Sequence, residues 1–160
     1  METHEESSEP IRCIVVGVDG SEGATRAAHW AARLARATGA EVVAVNAIGA
    51  PVFAASLSLV GGAVVNDDWQ TAWEEWSEFV ERALEENWSR PLAEAGVAFR
   101  TETVKGGPEA LIDLAGEIEA DMIVVGRRGR GGFAELVLGS FSHYLAHHAH
   151  VPVVVVPVPG

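Results

Sequence analysis

Runs of β-branched residues alternate with segments whose small apolar residues recur every three or four positions, and this alternation restricts the fold more than any other property of the chain. Ile11–Val18 (IRCIVVGV) and Glu41–Ala47 (EVVAVNA) are short strand-like runs. Between them Ala24, Ala27, Ala28, Ala31, Leu34 and Ala35 share one helix face, and Gly39 suits the left-handed C-terminal position. That is one β-α-β unit. A second helix is predicted over about residues 66–95, with Trp69, Trp73, Trp76, Val80, Leu84 and Trp88 along one side and acids on the other. At this periodicity the aromatic stripe reads as core packing rather than a ligand platform. Strands near Val97–Val104, Met122–Gly126 and Pro152–Val158, with helices opened by Pro108 and covering Ser140–His150, complete the pattern. Strands joined by helical crossovers give an α/β fold: a single doubly wound, mainly parallel five-stranded sheet of Rossmann-like type.

Charge and composition limit the partners. The chain has 160 residues, 48% of them apolar, which suits one compact domain. A formal charge of −12 argues against a nucleic-acid surface, because phosphate backbones call for Lys and Arg patches. A single cysteine, Cys13, excludes an internal disulfide. Residues 1–10 (METHEESSEP) read as a disordered acidic tail rather than a signal peptide, leaving 11–160 as the domain. Residues 42–65 carry no charge, but Asn46, Pro51 and the glycines Gly49, Gly61 and Gly62 break the run, so no membrane span is expected. Residues 49–65 read instead as an apolar loop insertion, suited to a lid or a partner surface.

In doubly wound sheets, ligands sit at the carboxyl ends of strands where the strand order reverses. The segments after the first and fourth strands are both glycine-rich: Gly17–Gly23 (GVDGSEG) and the stretch from Gly126 onward. Gly126, Gly129, Gly131 and Gly132 allow main-chain amides to approach an anion without Cβ interference. Gly139 and Ser140 then begin a helix whose first amides have no partner within it. Arg127, Arg128 and Arg130 supply positive charge that an anion needs when it approaches an acidic protein. Phosphate is therefore the ligand group these residues favour. Gly129–Ala134 matches the loose dinucleotide pattern, but residues 136–160 contain no Asp or Glu for the ribose. The only lysine is Lys105, and no P-loop occurs.

Gly126, Gly129, Gly139 and Ser140 fit the pattern G-2x-G-9x-G-[ST] in register. In this the chain resembles the ATP-binding subgroup of the universal stress protein family. IVVGVDGSEGATRAAHWAARLA is similar to that family's first strand, acidic turn and first helix, and VPVVVVP to its closing strand. The resemblance implies an adenine nucleotide alpha hydrolase-like sheet in the order 3-2-1-4-5. It further implies that Gly17, Val18, Asp19 and Gly20 lie by the ribose and adenine, and that Ala47 lines the adenine. Gly126, Arg127, Arg128, Gly129, Arg130, Gly131 and Gly132 would surround ribose and phosphates, and Gly139, Ser140, Phe141 and Ser142 would meet the phosphates.

The implied ligand is ATP, with magnesium bridging the phosphates and no metal held directly by protein groups. The implied role is a cytoplasmic, nucleotide-dependent regulator of stress survival. Asp19 is the only obvious carboxylate at the site, so any ATP hydrolysis is expected to be slow. The alternative is a nucleotide-free protein-interaction module of the same fold, with an unknown protein partner. His143, His147, His148 and His150 read as surface and helix-end residues. The valine run Val153–Val156 reads as a sheet edge suited to a two-fold homodimer, which the resemblance also implies.

Overall fold

A computed structural model describes residues 9–48, 68–129 and 138–159. The elements run β1 (Cys13–Gly17), α1 (Glu22–Thr38), β2 (Glu41–Ile48), α2 (Asp68–Ala83), a π turn (Leu84–Trp88), α3 (Arg90–Ala95), β3 (Phe99–Lys105), α4 (Pro108–Glu117), β4 (Met122–Gly126), α5 (Ser140–His148) and β5 (Val153–Val156). The sheet has five strands in the order β3-β2-β1-β4-β5. Every pairing is parallel, as the β-α-β reading requires.

Alternation along the strands sorts the core into two layers. Ile14, Val16, Val42 and Ala44 face α1, whose Ala27, Ala28 and Ala31 are fully buried, together with Leu84 and Leu92. Val15, Val43, Val45 and Ile123 face Leu111 and Leu114 of α4 and Leu145 of α5. The alanine stripe of α1 lets that helix sit close to β1 and β4, because its contact face carries only methyl groups. Ser21 caps it by accepting the Ala24 N–H (3.2 Å), and Gly39 ends it at φ 77°.

A β1–β4 pairing bridges distant parts of the chain, Ile14 lying beside Met122. Asp121 fastens the strand starts: its carboxylate accepts the N–H groups of Arg12 (2.7 Å) and Cys13 (2.9 Å). Those two bonds hold the Asp121 carboxyl below the usual carboxylate range.

The structure departs from the sequence reading mainly at the tryptophan-bearing helix. Instead of one helix over 66–95, α2 passes into a π turn and α3 starts afresh after Ser89, where Pro91 occupies the first turn. The defining bond runs from the Ser89 N–H to the Leu84 carbonyl (3.1 Å), five residues back. Trp73, Trp76 and Trp88 pack against Ile48 and Val80, as core packing requires. Lys105 Nζ lies 5.7 Å from the centre of the Trp73 ring. The side chain of Trp69, the tail to residue 8 and the segment 49–67 fall outside the described residues.

The other boundaries shift modestly. α5 ends at His148 rather than His150, and β5 covers Val153–Val156 rather than reaching Val158, since Pro157 has no N–H to continue a ladder. Among the described residues no helix is long and apolar enough to cross a membrane.

Candidate functional site

Three chain segments meet at the carboxyl ends of β1, β2 and β4, the place where strand order reverses. The turn after β1 is organised by Asp19. Its Oδ1 accepts the Ser21 N–H (2.9 Å), and Gly20 adopts φ 79° to make the bend. The other carboxylate oxygen lies so near Gly129 that a Cβ there would meet it at 2.7 Å. Asp19 thus shapes its own turn and also touches the loop after β4.

That loop is clamped at both of its first residues. A Cβ on Gly126 would lie 2.5 Å from the Gly23 carbonyl carbon, and a Cβ on Gly23 would collide with the Arg128 carbonyl oxygen. Gly126 is therefore glycine because α1 and the loop pass backbone to backbone. None of Gly126, Gly129 or Gly139 has positive φ. Arg127 donates its N–H to Val156 O (2.9 Å), while its carbonyl accepts from Gly139 N–H (2.8 Å) and Ser142 Oγ–H (2.8 Å). So the Gly139 amide, expected at the open start of the helix, bonds to the loop instead, and the Arg127 amide is likewise satisfied within the protein. The N–H groups of Ser140, Phe141 and Ser142 begin α5 and find no acceptor among the described residues.

A cavity of about 410 Å³ lies between these segments, within the size range of small-molecule sites. Of the residues singled out from the sequence, Gly17, Val18, Asp19, Ala47, Gly126, Arg128, Gly129, Gly139, Ser140, Phe141 and Ser142 line it. Gly20 and Arg127 do not; the first makes the turn and the second anchors α5 to β5. Arg130, Gly131 and Gly132 lie outside the described residues. The Nε groups of Arg127 and Arg128 are buried with no acceptor among the described residues. His143, His147 and His148 are exposed, and no group of three metal-ligating side chains occurs among the described residues.

The match to known proteins extends over the whole of this frame. A sequence model of the universal stress protein family covers residues 10–157. The chain belongs to the universal stress protein family. Its relatives include universal stress protein MJ0531 of Methanocaldococcus jannaschii, 31% identical over 147 residues, spanning 91% of this chain and 82% of that one. Universal stress protein Slr1101 of Synechocystis sp. is 37% identical over 101 residues, 62% of this chain and 93% of that one. Among solved structures, protein MJ0577 superposes with a TM-score of 0.75 at 21% identity, covering 95% of this chain and 99% of that one. A universal stress protein in complex with cAMP gives 0.63 at 26% identity, covering 92% and 98%. The Archaeoglobus fulgidus universal stress protein in complex with dAMP gives 0.62 at 22% identity, also covering 92% and 98%.

Several wall residues of this universal stress protein escaped the sequence reading. Asn46 is 7% exposed and donates Nδ2–H to the Val18 carbonyl (2.7 Å), tying the end of β2 to the turn after β1. Its signal was present, a lone amide in an otherwise apolar strand, but it was read only as a break in hydropathy. Ser21, Ile48 and Val125 also line the cavity, as do Trp76 and Trp88, which packing periodicity had assigned to the core alone.

Proposed function

We propose that this universal stress protein binds an adenine nucleotide, ATP with magnesium, in the cleft at the ends of β1, β2 and β4, and serves as a cytoplasmic regulatory binder rather than a catalyst. The observation that carries the reading is the division of the wall. One end has Arg128 and the amides of Ser140–Ser142, which find no acceptor among the described residues; the other has Ala47, Ile48, Trp76 and Trp88. Oriented amides and a guanidinium suit phosphate, and an apolar, aromatic end suits a base. A few charge-assisted bonds at about 1.5–3 kcal/mol each, with helix-terminus contributions of roughly 0.3–1, reach the roughly 8 kcal/mol of a micromolar complex. The cAMP complex of a relative with the same fold supports the nucleotide class.

The residues fit magnesium only through the ligand's phosphates, since Asp19 is the one carboxylate on the described wall. The same scarcity of carboxylates favours binding over hydrolysis. Gly126, Arg127 and Gly20 belong to this reading as residues that build the site, with Arg130, Gly131 and Gly132 completing the loop.

The test is to denature the purified protein and chromatograph what it releases, then titrate the emptied protein with Mg-ATP by calorimetry. Released adenine nucleotide, or micromolar binding heat, is expected. Absence of both would replace this reading with the nucleotide-free interaction module. The edge strand adds a second expectation: Val153, Val154 and Val155 are half-buried on the outermost strand, so a two-fold homodimer should form there. Light scattering at micromolar concentration should give twice the chain mass, and a monomer mass would remove the dimer.

A further inference from the structure

We propose that Trp76 and Trp88 form a base-recognition wall, and that the π turn before Ser89 is the device that assembles it. The inference rests on the nucleotide reading of the cleft and adds to it a selectivity for purines. Both indoles line the cavity, and both pack against Ile48 and Val80, at the end remote in the sheet from the amides that open α5. β2, which carries Ile48, and β4, which leads to those amides, flank β1 on opposite sides. A ligand lying across β1 would therefore present one end to the amides and the other to the indoles.

Geometry explains why the helix is interrupted. Trp88 follows Trp76 by 12 positions. At about 100° per residue an unbroken α-helix would turn it about 120° away. A π turn closes five residues back instead of four, taking in one extra residue. That removes about 100° and leaves the two indoles within about 20° of the same side. The bond from Ser89 N–H to Leu84 O is this extra-residue closure (3.1 Å). Trp88 also packs against the core that holds Leu84 and Leu92, so the shifted register serves packing and the wall together. Large flat side chains of this kind stack on any base, and the wider ring system of a purine overlaps them more than a pyrimidine does.

The test compares Mg-ATP, Mg-CTP and inorganic tripolyphosphate by calorimetry on the full chain and on Trp76→Leu, Trp88→Leu, Trp88→Phe and a deletion of Glu86 that restores α-helical register. Expected are a preference for ATP over CTP, and a loss of about 5- to 140-fold in ATP affinity for each Leu variant. Trp88→Phe should retain most of the affinity, and tripolyphosphate should bind all the folded variants alike. ATP, but not tripolyphosphate, should quench tryptophan emission of the unmodified chain, a readout that needs no variant to fold. If ATP binds the unmodified chain and both Leu variants equally, the wall is wrong and the nucleotide reading stands. If neither ATP nor tripolyphosphate binds the unmodified chain, both fall together.

Discussion

Gly126→Ala is expected to lower stability by about 3 kcal/mol or more and to abolish nucleotide binding, although it adds a single methyl group. The new Cβ would sit 2.5 Å from the Gly23 carbonyl carbon, 2.7 Å from its oxygen and 2.9 Å from its Cα. Backbone atoms cannot step aside by changing rotamer, so α1 and the loop after β4 must separate. Separation pulls Gly129 away from Asp19 and opens the cleft along its length. The cost is one of contact, since Gly126 does not have positive φ. Gly116→Ala is the matched control. It lies in α4 with nothing within 4 Å of its added Cβ, and should stabilise by about 0.4–1 kcal/mol. Urea midpoints of the two variants should therefore move in opposite directions, and equal, small shifts would disprove the backbone contact.

Arg128→Ala should weaken both Mg-ATP and tripolyphosphate by about 10- to 150-fold while leaving the urea midpoint close to that of the parent. The magnitude is that of one or two charge-assisted bonds worth about 1.5–3 kcal/mol in total. Arg128 lines the cavity, and its buried Nε has no acceptor among the described residues, so a bound phosphate would satisfy a donor already withdrawn from water. Arg128→Lys should recover only part of the loss, because an ammonium cannot reproduce the planar fork. Calorimetry against both ligands decides it: undiminished tripolyphosphate binding would remove Arg128 from the phosphate end.

The sheet and its crossovers were legible because the strands carry β-branched residues and each crossover an apolar stripe at helical spacing, signals that need only local periodicity. The glycine and serine positions after β4 were legible too, since a helix start and its preceding loop leave compositional marks. The long helix was misread for a definite reason. Its apolar residues drift around the helix from Trp76 to Trp88, and the π turn that compensates leaves no mark in residue periodicity. Gly126 was assigned to ligand approach and does line the cleft, but its close contact with Gly23, more than a hundred residues earlier, left no local signal. Asn46 and Val18, and likewise Asp19 and Gly129, become neighbours only when strands β1, β2 and β4 stand side by side.

The pairing of β1 with β4 has a kinetic corollary. Ile14 waits for Met122, and the Arg12 amide waits for Asp121, 109 residues downstream. Closing so large a loop costs entropy before any contact rewards it. A chain still emerging from the ribosome would hold the first three strands and the tryptophans well before β4 and the start of α5. On the nucleotide reading, the cleft would take its ligand only after those later elements had formed, so the ligand would not template the early sheet.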